Sequence, residues 1–467
     1  MDEAAIASRS PNAFEAVIGR GRARAFASAL GRARHRQGSH TLWHVNSSAQ
    51  GGGVAEMLQS ILSYLLGAGI ECRWLIIDGG EEFFELTKRI HHLLHAEPHD
   101  GPSLDARARR TYEGALRADA DRIVELIAPG DVVVLNDPQT LGLAPSLRRA
   151  GVRLIFTCHI GADRPDEHTR TAWEFLSRYI GETDRQVFSR SQYIWDGLDP
   201  ENVAVIPPCL DAFSPKNQEL DAKTVGSILA AAGLVADDVM STPDFIRQDG
   251  TKGKVSSRAE MIEMLPLSRT TPIVTQVSRW DPLKDPGGVI AGFVAHVPTE
   301  SGAHLVLAGP APESVADDPE SQQVFSGLRE QWRRLPDEQR ARVHLGCLPM
   351  DDSEQNGAIV NALQRRSDVV VQKSLAEGFG LTVAEAMWKH RATVGSRVGG
   401  IQDQIEHGRS GCSSTTRTTR MSSVSRSPGS SPTHRRARGW ARPHMSGSPI
   451  TIWRRNTSRV TSTSSLR

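Results

Sequence analysis

No C-x-x-C pair occurs in this chain, and its five cysteines (Cys72, Cys158, Cys209, Cys347 and Cys412) are odd in number and far apart. That argues against a disulfide framework, a zinc ribbon and a dithiol redox centre, and it fits reduced thiols in a cytoplasm. The opening residues MDEAAIASRS lack an apolar core of signal-peptide length. No apolar run approaches the length of a membrane span, so the expectation is a soluble cytoplasmic protein without a membrane partner. A basic excess is also missing from most of the chain. Residues 1–411 hold 44 Lys and Arg against 54 Asp and Glu, a balance of −10, while residues 412–467 hold 11 Arg and no acid. An acidic body excludes nucleic acid as the natural partner, because grip on a phosphate backbone needs a basic face.

What is present is length and alternation. A chain of 467 residues can bury two or three cores. The Arg-rich stretch before residue 40 reads as a surface helix with Phe26, Ala27 and Leu30 turned inward. Then come a strand at Thr41 to Asn46, the glycines Gly51, Gly52 and Gly53, and an apolar helical stripe through Val54, Met57, Leu58, Ile61, Leu62 and Leu65. Strand, glycine turn and helix N-terminus together can cradle a phosphate, since the dipole favours negative charge and glycine admits close approach. Three glycines are also simply a tight turn.

Further strands at Cys72 to Asp78, Asp131 to Asn136, Val152 to Ile160 and Asn202 to Ile206 alternate with helices at Glu81 to Leu94 and around Arg107 to Ile127. Such alternation implies βαβ crossovers and a parallel sheet. Pro207-Pro208 and Ser214-Pro215 interrupt it and mark a hinge. A helix near Val225 to Leu234 and a polar loop at Arg247 to Ser257 follow. From Pro272 a second unit begins: strand Ile273 to Val277, helix Pro286 to Val297, strands His304 to Ala308 and Arg342 to Leu345, and helix Asn356 to Arg365. The class is α/β, with domains at 1–213 and 214–411 and a basic tail at 412–467.

The stretch Asp368 to His390 organises the rest. Asp368 to Gln372 reads as a buried strand, and Leu381 to Trp388 as a helix entered through Gly378-Phe379-Gly380. The free N–H groups of Leu381 and Thr382 would then face out of the sheet's carboxyl edge, where α/β sheets hold anions. Glu377 and Glu385 flank that point with seven residues between them, and a carboxylate there suits sugar hydroxyls. Arg279 and Lys284 follow the carboxyl end of another strand; they are either phosphate ligands or a solvated loop paired with Asp281 or Asp285. His159 closes a strand and Asp137 follows one, each with a structural or capping role as the alternative. Asp317-Asp318 and Asp351-Asp352 read as loop and cap residues, and no metal-ligand spacing stands out.

The run from Glu377 to Glu385 resembles the Glu, seven residues, Glu signature of retaining GT-B nucleotide-sugar glycosyltransferases. WHVNSSAQGGGVAEML, FFELTKRIHHLL, TCHIGADRP, PPCLDAFSPKN, QVSRWDPLKDP, LVLAGP, LPMDD and the long run ending EGFGLTVAEAMWK resemble, in order, the trehalose synthase branch of that group. The likeness runs from about Thr41 to Gly411. It implies GT-B architecture, two Rossmann-like domains facing a cleft, with the second incomplete at its C-terminal end. It implies transfer of glucose from an NDP-glucose such as UDP-glucose or ADP-glucose to glucose, giving α,α-trehalose with retention and without an added cofactor or metal. Glu377 would then hold the transferred sugar and Glu385 the ribose. Arg279, Lys284, Gly51, Gly52, Gly53, Gly380, Leu381 and Thr382 would hold the diphosphate, His159 would face the transferred sugar, and Asp137 and Gln139 would lie on the acceptor side. Small sugars are the implied partners, and a homodimer is left open as the assembly. Trehalose phosphorylase is the neighbouring reading, and a non-catalytic nucleotide-sugar-binding chain the other. The likeness stops inside Gly408-Arg409-Ser410-Gly411. The 23 Ser or Thr and 11 Arg beyond it have no periodic pattern and suggest a disordered tail or a shifted reading frame.

Overall fold

Val132–Asn136 and Val369–Gln372 are apolar runs short enough to be strands covered on both faces, and each lies inside a seven-stranded sheet. The computed structural model describes residues 1–49, 52–98, 101–236, 241–312, 320–406 and 410–414. These fall into two units, Met1–Cys209 and the chain from Leu210 onward.

The first unit carries β1 (Asp2–Glu3), β2 (Leu42–Asn46), β3 (Cys72–Ile76), β4 (Val132–Asn136), β5 (Arg153–Cys158), β6 (Arg185–Phe188) and β7 (Val203–Val205). Their order is β1-β3-β2-β4-β5-β6-β7, parallel except for β1. The chain moves outward from β2 to β3, then returns to lay β4 on the other side of β2. The crevice between the carboxyl ends of β2 and β4 is therefore the switch point where α/β sheets hold ligands. Alternate strand residues feed opposite faces: Trp43, Val45 and Leu75 join one core with Tyr112, Phe156 and Trp173, while Cys72 and Trp74 pack with Leu58 and Leu62.

The second unit opens with the helix Ala222–Ala231, then the hairpin of β8 (Asp244–Ile246) and β9 (Lys252–Lys254), followed by β10 (Glu260–Ile262). Its main strands are β11 (Ile273–Val277), β12 (His304–Pro310), β13 (Val343–Leu348), β14 (Val369–Gln372), β15 (Ala392–Ser396) and β16 (Cys412–Ser414). The order β10-β13-β12-β11-β14-β15-β16 is the doubly wound arrangement with an antiparallel edge, and its switch point lies between β11 and β14. In β12, Leu305 and Leu307 face the helices Pro286–His296 and Ser321–Arg333, and Val306 and Ala308 face Ala222–Ala231 and Ser353–Arg366.

Several expectations change. The helix Arg20–Gln37 buries Leu30 but leaves Phe26 and Ala27 exposed. Phe26 meets the edge of Phe14 instead. The polar stretch Arg247 to Ser257 is in part the hairpin, whose Gly250 has φ +85°. Arg247 grips Asp352 at 2.6 Å and Glu354 at 2.8 Å, which binds the hairpin to the start of the helix Ser353–Arg366. Asp352 caps that helix through the N–H groups of Glu354 and Gln355. Asp317-Asp318 lies outside the described residues. The helix Glu167–Ile180 and β6 are additional elements, the helix capped by Asp166. Cys412–Ser414 pairs in parallel with Val394–Ser396, so the first residues of the basic tail form an edge strand. The remainder of the tail lies outside the described residues. Among the described residues no helix is long and apolar enough to cross a membrane.

Candidate active site

In the first unit, β4 and β5 run side by side with Asn136 opposite Thr157, so the residues just past each strand end meet. Asp137 leaves β4 with φ +61°, a left-handed conformation that costs a residue with a Cβ about 1–2 kcal/mol. That turn brings its carboxylate onto His159: the His159 N–H donates to Oδ1 at 2.7 Å, and ring Nδ1 lies 3.2 Å from Oδ2. A proton on Nδ1 satisfies that contact and leaves Nε2 as the ring's acceptor. Tyr112 supports the turn from below, its hydroxyl donating to the Pro138 carbonyl and accepting from the Gly142 N–H at 3.0 Å. Gln139 is half-buried, and its Oε1 has no hydrogen-bond partner among the described residues.

Across the switch point stands His44, a residue the sequence patterns passed over. Burial, and then the charge of His159, push it down to about 4, so it is neutral at ordinary pH. Its Nδ1 lies 3.5 Å from the Asn136 amide, which donates to the Val45 carbonyl at 2.9 Å. A histidine in the middle of the largely apolar strand Leu42–Asn46 was the available signal. Gly52 precedes the helix Gly53–Gly67, whose N-terminus has no side-chain cap. A Cβ on Gly52 would meet open space, so nothing described here requires a glycine there. Gly51 lies outside the described residues.

In the second unit, the chain after β11 makes a tight turn that Asp281 caps through the Leu283 N–H at 2.8 Å. The turn delivers Lys284 to Glu377, Nζ to Oε2 at 2.8 Å, from the loop after the neighbouring β14. Ser374 donates to the same oxygen at 3.0 Å. Asp285, at φ +45°, caps the helix Pro286–His296 through Gly288 and pairs with Lys373, tying the two loops together. Arg279 is half-buried just beyond β11.

The helix Leu381–Trp388 starts three residues after the Glu377-Gly378 step and has no side-chain cap, so Leu381 and Thr382 present the open end of its dipole. Gly380 enters it at φ +84°, and a Cβ there would come within 2.7 Å of Ile401. Only glycine serves at this position. Glu385 points elsewhere. It is 2% exposed, accepts from Gln364 at 2.9 Å and lies 3.5 Å from Lys216. Burial works to raise its pKa, but Lys216 and Lys389 outweigh it and hold the carboxyl below its usual value. Two pairs therefore come together, Asp137 with His159 and Lys284 with Glu377, while Glu385 has separate partners.

The N-terminal domain of trehalose synthase, as a family model, matches residues 44–195, and the model of glycosyl transferases group 1 matches residues 272–421. Trehalose synthase of Pyrococcus horikoshii is 32% identical over 368 residues, which is 79% of this chain and 76% of that protein. The chain belongs to the trehalose synthase family. The family's member from Rubrobacter xylanophilus is 33% identical over 78% of this chain and 76% of its own length. Trehalose phosphorylase of Pleurotus sajor-caju is more distant, at 22% over 78% of this chain and 50% of that protein. Among solved structures, Anabaena HepE in complex with UDP and glucose superposes with a TM-score of 0.53 at 15% identity, covering 91% of this chain and all of that one. OtsA without ligand gives 0.54 at 15% identity over 78% of this chain and 86% of that one. Identities this low establish the fold alone, which is that of GT-B glycosyltransferases. A trehalose synthase relative is a glycosyltransferase, and its chemistry is trehalose-related glycosyl transfer.

Proposed function

We propose that this protein transfers glucose from an NDP-glucose to glucose, with retention, to give α,α-trehalose. The observation that carries the proposal is the Lys284–Glu377 pair, held at 2.8 Å at the β11/β14 switch point just before the uncapped helix Leu381–Trp388. A carboxylate beside an ammonium and an open helix end is what a glucosyl diphosphate requires, acceptor oxygens for the sugar and positive charge for the phosphates.

In this reading the bond between the glucosyl carbon and the diphosphate oxygen breaks, and its electron pair stays with the phosphate. Lys284, Arg279 and the N–H groups of Leu381 and Thr382 stabilise that growing charge by fixed electrostatics. The anomeric hydroxyl of the acceptor bonds to the glucosyl carbon from the same face, and its proton passes to the departing phosphate. Asp137 holds the His159 tautomer that leaves Nε2 as an acceptor, which in this reading serves the transferred sugar, and Gln139 serves the acceptor. Glu385 uses two of its lone-pair directions on Gln364 and Lys216. The remaining ones are what it offers a ribose. No metal or cofactor is part of this scheme.

The trehalose phosphorylase relatives give a second reading, in which inorganic phosphate takes the place of the diphosphate. Purified protein incubated with UDP-glucose or ADP-glucose and glucose should yield α,α-trehalose, identified by the anomeric signals of the product. Trehalose breakdown that needs phosphate and no nucleotide would replace the first reading with the second. Thermal stabilisation by nucleotide with no product from any of these mixtures would leave only a binding protein.

A further inference from the structure

Behind the Lys284–Glu377 pair lie two glutamines that the proposed chemistry does not use. Gln276 is on β11 and Gln372 ends β14, so they stand on the two adjacent strands of the switch point, 1% and 2% exposed. Gln372 Nε2 donates to the Ser374 hydroxyl at 3.0 Å, and that hydroxyl, with its oxygen so engaged, donates its one proton to Glu377 at 3.0 Å. Gln276 Nε2 donates to the Lys284 carbonyl at 3.0 Å and to the Ser278 hydroxyl at 3.2 Å. One amide thus orients the carboxylate and the other fixes the backbone that presents the ammonium.

Each amide does this at a cost. Gln276 Oε1 and Gln372 Oε1 are both buried without a hydrogen-bond partner among the described residues. A buried carbonyl in that condition is destabilising by about 1–3 kcal/mol, whereas an apolar side chain of similar shape would carry no such penalty. Turning either amide over would strand its two donors instead. Other glutamines also bury an unpartnered Oε1, so the lone oxygen does not single these two out; their donors do, one reaching Glu377 through Ser374 and the other the Lys284 carbonyl, from neighbouring strands.

We propose that Gln276 and Gln372 are positioning residues for glycosyl transfer, holding Lys284 and Glu377 in register at the expense of stability. This inference rests on the glucosyltransferase reading above, and its test separates the two. In Gln372→Leu and Gln276→Leu, kcat should fall about tenfold or more with the KM for the nucleotide sugar within about twofold, while the melting temperature stays level or rises. Ser374→Ala should reproduce the kcat loss of Gln372→Leu, and Ser374→Thr, which keeps the hydroxyl, should recover most of it. Unchanged kcat in the leucine variants overturns the proposal. So does a kcat loss that comes with a melting temperature several degrees lower, because a structural role predicts that pattern. A crystal structure of Gln372→Leu decides the matter without turnover: Glu377 should leave Lys284, and a carboxylate that has not moved overturns the inference. If the wild-type protein makes no trehalose, the glucosyltransferase reading fails and the crystallographic result still stands or falls separately.

Discussion

Asp137 accepts a left-handed backbone so that one carboxylate can meet both the N–H and the ring of His159. Asparagine tolerates the same backbone, which makes Asp137→Asn a clean probe. Its amide can donate to Nδ1, and the ring proton then moves to Nε2, removing the Nε2 acceptor that the proposed transfer uses. The melting temperature should change by no more than a few degrees, while kcat drops on the order of a hundredfold; equal kcat would show that the tautomer is immaterial. Glu377→Gln should likewise lose about a hundredfold in turnover, with calorimetric affinity for the nucleoside diphosphate retained. These residues were legible at different depths. Glu377, Lys284 and His159 announce themselves as charged or titratable groups at strand ends. His44 and Gln276 lie inside strands and Gln372 and Ser374 at or just past the end of one, where a lone polar residue beside an apolar run carries no sign of a role until its partners are known.

At the scale of elements, the helix Leu381–Trp388 depends on how the chain enters it. Gly380 holds φ +84° against Ile401, and Gly400 packs so closely that its Cβ would lie 2.6 Å from Phe379 Cα. Gln404 donates to the Phe379 carbonyl at 2.6 Å, which locks the loop from the other side. Gly380→Ala would add about 1–2 kcal/mol of backbone strain and about 1–3 kcal/mol of overpacking. A fall in denaturation midpoint should therefore accompany weaker nucleotide binding, since the open N–H groups would be displaced; calorimetry on a variant that still folds reads the second effect. Long periodic elements were plain in the sequence: Glu81–Leu94 has the bounds its pattern implies. The hairpin Asp244–Ile246 with Lys252–Lys254 was not, because three-residue strands carry no period and Arg247 anchors it to Asp352 and Glu354, more than a hundred residues away. β6, with four residues, escaped for the same reason.

On the scale of the whole molecule, each unit contains a histidine that its surroundings push down to about 4. His44 in the first is pushed down to about 4 by burial and by His159. In the second, His304 is also pushed down to about 4, by burial and then by His344, whose Nε2 lies 2.8 Å from His304 Nδ1, and by Arg342. Glu263, on the far side of His344 at 2.7 Å, is the acid of this group. An unfolded histidine titrates near about 6.5. Above that value neither residue affects stability. As pH falls below it, the unfolded chain binds protons that the native chain refuses, so stability declines until about pH 4, where the native rings protonate too and the slope ends. For His44 the full loss is about 3 kcal/mol, and for the more exposed His304 it is smaller because solvent screens the charge. Urea unfolding between pH 7.5 and 4.5 should therefore show a midpoint that drops steadily below 6.5. His44→Gln should flatten that decline in the first unit and His304→Gln in the second, and with no partner shared between them the two effects should add. Parallel curves for the wild type and both variants would mean that other groups govern the acid sensitivity.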